Sequence, residues 1–504
     1  MKTLVIGVDG ASVETFTRGW TPYIESLIKN GHRLELTEDL VSRGWVETFT
    51  GKHALETGAL YDLPVANGSL QWTTKFNIEK IPGWGIETQP IWQVLNEKGY
   101  SVGIMNVPTT FPAPKVDGFF VSGGGGGANV VKEATSELCY PEDIVNYLHS
   151  IGYIVDERMP ELYEDKCSSA EGIVSRFILK NKKRTESFIH LSKEKNVDFG
   201  YVVYKTSSVM MEFFTVPELD RKQEGEKNVD ANLLRLSQEY YKEFDKQIKE
   251  LVESFEGVEV IFVSDHSEIK TSFEINANCF LQQNGFQVMQ EQNISSKVLR
   301  YAKDIIKSKL PYGLTQKIKK FKNEIEKNTA VTLFDASFLF DRRKTSAFCV
   351  PKGDWSKGIY INDDERFDGV VPKDRVSELA HEISSRINND KTAKEHGITS
   401  HVKPRSNNPV SKYYPDIILD VPDGYIVSNT NNEFVYPFEG IKHGAANIDT
   451  VEVWFEMMAK KQWLPISVRG YHPLAVSTRE WTESILTASN DLTAIYRHII
   501  CKFK

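Results

Sequence analysis

The stretch VEVIFVSDHSEIK (residues 258–270) is apolar from Val258 to Val263 but for Glu259, and then stops on Ser264, Asp265 and His266. Such a run, bounded by polar residues, is the pattern of a strand buried on both faces in a parallel sheet. Ahead of it, EYYKEFDKQIKELVESF (239–255) carries apolar residues at helical spacing, so the local order is helix, then strand. The order recurs. TLVIGVDG (3–10) is a buried strand ending in Asp9, followed by a helix containing YIESLIKNG (23–31) with Gly31 as its stop. PIWQVLNEKGYSVGIMNVP (90–108) runs helix, glycine, strand, and RTESFIHLSKEKN (184–196) precedes the strand FGYVVYKT (199–206). Strands alternating with amphipathic helices predict an α/β fold with a mostly parallel sheet. Ligands of such sheets collect at the carboxyl ends of strands, so Asp9, Asp265 and His266 are expected to meet at one edge despite their separation in the chain.

Composition narrows the function. The 504 residues exceed one compact core of usual size, which implies two domains or one large domain with insertions. Apolar residues make up 40% and charged residues 26%, a globular balance. A net charge of −8 gives no basic footprint for nucleic acid or anionic membrane. The five cysteines (139, 167, 279, 349 and 501) are scattered and odd in number, which argues against a disulfide framework or zinc knuckle and fits a reducing compartment. The first apolar run is too short for a signal-peptide core, and no stretch is long enough to span a membrane. The expectation is a soluble, cytoplasmic protein.

The lysine-rich helical stretch SSKVLRYAKDIIKSKLPYGLTQKIKKFKNEIEKN (295–328) has no apolar strand and reads as a helical cap inserted at about 285–340. A second cap is expected near 140–195. The main domain is read as 1–464, and 465–504, ending NDLTAIYRHIICKFK, as a C-terminal helical extension.

At Asp265 and His266 two readings compete: a helix N-cap aspartate beside an incidental histidine, or carboxylate and imidazole ligands of a divalent ion such as zinc or manganese. Beyond this dipeptide, VSDHSEIKTSFEINANCFLQQNGF (263–286) resembles the stretch of the type I phosphodiesterase and nucleotide pyrophosphatase family, in the alkaline phosphatase superfamily, where S-D-H-G is followed by an N-x-x-L-x-x-x-G helix. VIGVDGAS (5–12), TGKHALETGALYD (50–62), the segment 90–123, KTSAF (344–348) with GIYIN (358–362), and YYPDIILDVPDGYIVS (413–428) follow in the family's order. The resemblance implies an alkaline-phosphatase-like three-layer α/β/α sandwich with a mostly parallel central sheet and inserted helical caps. It also implies two divalent metals flanking a Ser or Thr nucleophile, and a small phosphorylated substrate such as a nucleotide.

Carried over residue by residue, one metal falls to Asp9, Asp265 and His266. The nucleophile region reads DLVSRGWVETFTG (39–51), where Trp45, Thr50 and Gly51 match. An ungapped match puts Val41 at the nucleophile position; a one-residue slip places Ser42 there, with Arg43 beside it for a phosphate. The competing reading is that Ser42 begins a turn and no nucleophile remains. Thr48 and Thr50 match structural positions. For the second metal the family's T-D-R-x-x-H-F-F becomes SSVMMEFF (207–214), with Ser208 for Asp and Glu212 for His. His443 in EGIKHGAAN matches the distant histidine, with His472 as fallback. Lys442 is a candidate stand-in charge or a solvated lysine. The run VSGGGGGANV (121–130) either offers backbone N–H groups to a phosphate, with Asn129 reaching substrate, or is a flexible loop.

These readings predict a metal-dependent phosphodiesterase or nucleotide pyrophosphatase-like hydrolase, with one intact metal site and a second altered or empty. The alternatives are a degenerate, noncatalytic binding or scaffold protein, and a phosphotransferase with a single metal.

Overall fold

A computed structural model of the chain describes residues 1–61, 63–64, 72–73, 76–124, 133–155, 169–215, 231–289, 340–350, 357–403, 405, 412–428, 432–438, 467–482 and 490–503. The first apolar run forms β1 (Thr3–Val8), buried along its whole length. Its side chains alternate between two cores: Leu4, Ile6 and Val8 enter one cluster and Val5 the other. Each fully buried aliphatic side chain contributes about 1.5–3 kcal/mol.

Downstream come β2 (His32–Arg33), a short hairpin of β3 (Leu63–Pro64) and β4 (Trp72–Thr73), β5 (Val102–Met105), β6 (Gly118–Val121), β7 (Cys139–Tyr140), β8 (Phe199–Tyr204) and β9 (Glu259–Val263). The chain continues through β10 (Ser267–Lys270), β11 (Phe273–Ile275), β12 (Ala347–Cys349), β13 (Gly358–Ile361), β14 (Thr399–Val402), β15 (Ile417–Asp420), β16 (Tyr425–Val427), β17 (Val435–Pro437), β18 (Ser467–Gly470) and β19 (Ala475–Ser477). The central sheet has eight strands in the order β2-β19-β9-β1-β8-β5-β6-β7. Its middle, β9-β1-β8-β5-β6, is parallel, while β7 and β19 join antiparallel. One face is covered by helices Pro22–Asn30, Ala170–Glu194 and Ala231–Glu253, the other by Gly44–Thr50, Ile91–Glu97 and Thr493–Lys502. This is the expected three-layer α/β/α arrangement.

A smaller unit packs β12-β13-β15-β14 and β16-β11-β17 with helix Val376–Asn389 around its own apolar cluster. Its buried charges are paired: Arg366 bonds Asp363 (2.7 Å) and Asp416, and Arg405 bonds both carboxylates.

The boundaries differ from the sequence reading in two places. The expected helical extension at 465–504 supplies β18 and β19, the latter inside the central sheet, and among its described residues the helix is Thr493–Lys502. Val476 pairs with Phe262 of β9 and the strand is buried throughout, so pairing within the central sheet overrides the helical reading. In the expected cap at 140–195, helix Ala170–Glu194 belongs to a main layer, burying Ile173, Phe177, Phe188 and Leu191 in the core. The expected cap at 285–340 lies almost wholly outside the described residues. Among the described residues no helix is long and apolar enough to cross a membrane.

Candidate metal centre

The parallel register brings the ends of β1, β8 and β9 together. Val8 is level with Tyr204, and Gly7 with both Val203 and Val263. The backbone N–H of Asp9 donates to the Tyr204 carbonyl at 3.0 Å, and Ser207 Oγ donates to the Asp9 carbonyl. Ser264 ties the two aspartate-bearing ends to each other: its Oγ accepts from Ala11 N–H (2.9 Å) and donates to the His266 carbonyl (2.6 Å). Two glycines make this fit. A Cβ on Gly7 would lie 2.7 Å from the Trp45 ring, so the bare backbone admits the indole against β1. Gly10 turns the chain with φ +73°, and a Cβ there would come within 2.6 Å of Ser208 Cβ.

The result is a buried cluster of Asp9, Asp265 and His266, whose ligand atoms all lie within 4.8 Å of one another. His266 Nε2 is 3.6 Å from Asp9 Oδ1 and 3.7 Å from Asp265 Oδ1. On its other side Nδ1–H donates to the Ser267 carbonyl at 2.9 Å, which leaves the lone pair of the neutral ring on Nε2. The outer oxygens of the carboxylates are held separately, Asp9 Oδ2 by Trp45 Nε1–H (3.2 Å) and Asp265 Oδ2 by the Tyr61 hydroxyl (3.1 Å). Asp265 Oδ1 and His266 Nε2 are buried with no hydrogen-bond partner. Orphaned buried donors and acceptors are rare, and here they converge with a carboxylate of matching chemistry. Two carboxylate oxygens and one imidazole nitrogen, each oriented by an outer partner, fit a divalent ion with open positions.

Electrostatics agree. Burial and the Arg469 charge press the His266 pKa down, but Asp265, Asp9 and Glu268 outweigh them and raise it to about 9. Burial works to raise the Asp9 pKa, yet the adjacent His266, 3.6 Å away, and the charges of Lys205 and Arg469 lower it to about 2. Asp265 is raised, first by burial and then by the Asp9 charge. Without an ion, the imidazole takes up a proton to serve the two carboxylates; a bound cation takes that proton's place.

Ser42 lies in a different network. Its Oγ donates to Asp39 Oδ2 (3.0 Å) and lies 3.2 Å from His53 Nε2. His53 Nδ1 accepts from Leu55 N–H at 3.2 Å, so the ring's proton sits on Nε2 and is donated to Asp39 Oδ2 (3.1 Å). Tyr414 donates to the same oxygen (2.8 Å), and the N–H groups of Val41 and Ser42 donate to Oδ1, both at 2.9 Å. These donors outweigh burial and hold the Asp39 carboxyl well below the usual range. Burial, followed by neighbouring carboxylates, pushes Glu38 and Glu47 well up. Sequence reading missed Asp39 and His53; the only signal was their position flanking the nucleophile segment.

The remaining candidates fall as follows. Arg43 is buried and bonds the carbonyls of Leu60 (2.7 Å) and Tyr61 (3.3 Å), with its guanidinium over the Tyr61 and Phe76 rings. Val41 is buried. Thr48 bonds Tyr201, and Thr50 bonds the Val46 carbonyl, both at 2.7 Å within the buried layer. Ser208 Oγ turns back to the Lys205 carbonyl (3.3 Å). Glu212 is half-buried in the turn Met211–Thr215, and neither it nor Ser208 joins the three-ligand group. His472 is exposed, its Nδ1–H donating to the Leu36 carbonyl at 3.2 Å. Asn129, Lys442 and His443 lie outside the described residues.

The sequence profile of type I phosphodiesterase / nucleotide pyrophosphatase matches residues 3–448. The chain belongs to this family. No curated protein matches it. Among solved structures, phosphonoacetate hydrolase from Sinorhizobium meliloti 1021 in complex with phosphonoformate is 11% identical over 100% of this chain and 96% of its own, with a TM-score of 0.50. Human ectonucleotide pyrophosphatase/phosphodiesterase 5 is 12% identical, covering 100% and 95%, with a TM-score of 0.45. At 11% identity the likeness to the phosphonoacetate hydrolase concerns the fold, and family membership rests on the profile.

Proposed function

We propose that this family member is a hydrolase of phosphoric esters, of the diester or nucleotide-pyrophosphate class, that works with one divalent ion, zinc or manganese. The observation that supports it most is the convergence of Asp9 Oδ1, Asp265 Oδ1 and His266 Nε2, two of them buried without hydrogen-bond partners. A divalent ion there would polarise a phosphoryl oxygen and lower the pKa of a nearby nucleophile. Tyr61 and Trp45 orient the ligands, and Ser207 and Ser264 fix the turns that carry them. Ser208 and Glu212, where relatives hold a second ion, make one ion per chain our expectation.

Ser42 is the proposed nucleophile. From within the Asp39 network, Oγ bonds to phosphorus and the leaving-group P–O bond breaks. Asp39 is placed to take the hydroxyl proton. Water then cleaves the phosphoserine ester. The burial of Ser42 and its bonds to Asp39 and His53 favour a second reading, in which the chain binds its ligand without a serine nucleophile. Ser42→Ala separates them. With zinc or manganese and an aryl phosphodiester, the variant should retain its metal and lose turnover; full turnover excludes Ser42 as nucleophile.

A further inference from the structure

We propose that Glu47 is a positioning residue of Ser42: it stands beside the serine network as a neutral carboxylic acid, and its ionisation switches the serine off. The inference rests on the reading of Ser42 as nucleophile and adds a residue outside the metal centre. Glu47 lies on the helix Gly44–Thr50, which begins directly after Arg43, and its side chain is buried. Both of its carboxyl oxygens are without a hydrogen-bond partner. Its ion-pair distance within reach is to His53, whose Nε2 lies 3.7 Å from Oε1. That same nitrogen lies 3.2 Å from Ser42 Oγ and donates its proton to Asp39. Glu47 and Ser42 thus flank one ring nitrogen whose proton goes to a different acid.

The surrounding charges decide the state of Glu47. A buried carboxyl with neither a donor nor a cation keeps its proton. His53 is neutral in this arrangement, because Nδ1 accepts from Leu55 N–H. The cations of the neighbouring segments do not reach Glu47: Arg43 bonds the Leu60 carbonyl (2.7 Å), Lys52 the Glu87 carbonyl (2.8 Å) and Arg497 the Thr493 hydroxyl (2.6 Å). The acids nearby add negative charge. Glu38 accepts from Leu492 N–H at 2.9 Å, and Asp491 accepts from Thr493 N–H at 3.0 Å. Burial first, then Glu38, Asp39 and Asp491, push the Glu47 pKa well up, while the Ser42 hydroxyl works the other way. Among the described residues Asp39, Glu47 and His53 do not form a three-ligand metal group, so protons are left to balance these acids. The two carboxyls therefore divide the work. Asp39 collects five donors, Tyr414 among them, and stays charged to take the Ser42 proton. Glu47 collects none and stays neutral. As Oγ attacks phosphorus, negative charge grows at the serine and arrives with the phosphate, and a second ionised carboxylate beside Asp39 would oppose both.

The test uses the full-length, zinc-loaded protein and an aryl phosphodiester, with turnover measured from about pH 6 to about pH 10. In the wild type kcat should fall about tenfold or more as Glu47 ionises. Glu47→Gln copies the neutral acid, and its rate, relative to its own value at the acid end, should hold through the same range. A glutamine variant that falls with the wild type, or one inactive at every pH, overturns the proposal. Urea unfolding of the metal-free proteins reads the charge on Glu47 without turnover. A carboxyl whose folded pKa is raised contributes its stability fully below the ordinary value of 4.5 and loses it as pH rises through the folded value. The midpoint of Glu47→Gln relative to the wild type should therefore climb as pH rises above 4.5 and level off once Glu47 has ionised. A difference that stays constant with pH overturns the proposal. If Glu47→Gln does not fold, Glu47→Met decides by the same criteria. Full turnover in Ser42→Ala would instead overturn the nucleophile reading itself.

Discussion

Replacing Asp265 by Asn should stabilise the metal-free protein and remove its response to metal. The ligand oxygens of Asp9 and Asp265 lie within 4.8 Å of each other. Two unit charges at that distance repel by about 3 kcal/mol at an effective dielectric constant of about 20. The His266 charge, 3.7 Å from Asp265 Oδ1, offsets this repulsion at the same dielectric, so the expected gain of about 1–2 kcal/mol comes from relieving the desolvation of the buried carboxylate. Asparagine keeps an oxygen to accept from Tyr61, and its amide replaces the orphaned Oδ1, facing His266 Nε2 and Asp9. The wild-type chain, by contrast, should gain about 2.7 kcal/mol at a free ion concentration about a hundred times Kd. Urea unfolding monitored in EDTA and in excess zinc reads both effects as midpoint shifts at constant slope. The expected order reverses: the variant is more stable in EDTA and the wild type in zinc. A variant less stable in EDTA, or a wild-type chain indifferent to zinc, would refute the reasoning.

Other outcomes follow from the same geometry. The folded pKa of His266, raised to about 9, stabilises the metal-free protein fully below the unfolded value near 6.5 and ceases to do so as pH rises through about 9. Zinc must displace that proton, so its affinity should climb about tenfold per pH unit toward pH 9, measurable by competition with a chromogenic chelator. Tyr61→Phe removes the partner of Asp265 while keeping the ring, and Trp45→Phe removes that of Asp9 while keeping an aromatic side chain; each should cost about tenfold in zinc affinity. His498 Nε2 bonds the buried Glu259 at 3.0 Å and fastens the last helix to β9; His498→Ala should cost about 3 kcal/mol in urea unfolding and leave zinc binding unchanged.

The residues proposed to hold the ion were legible in the sequence for a definite reason. Asp9 and Asp265 each end an apolar run, and in a parallel sheet such ends share an edge. Lys205, whose charge acts on Asp9, ends the run FGYVVY by the same rule and could have been found with them. Arg469, whose charge acts there too, was hidden because SVRG (467–470) is only four residues long and lies in a segment whose far end is helical. Tyr61, Asp39 and His53 come from irregular chain, where no periodicity reports which way a side chain points. The surroundings of Ser42 illustrate the limit. The family resemblance, with a one-residue slip, placed it at the nucleophile position, and only the three-dimensional network shows its hydroxyl committed to Asp39.

The most direct test is the zinc content per chain, by elemental analysis after reconstitution and desalting, of the wild type beside Asp9→Asn and Asp265→Ala. The account predicts one ion in the wild type and none in either variant, with all three folded by circular dichroism. A wild-type chain without zinc, or variants that keep their ion, would contradict it.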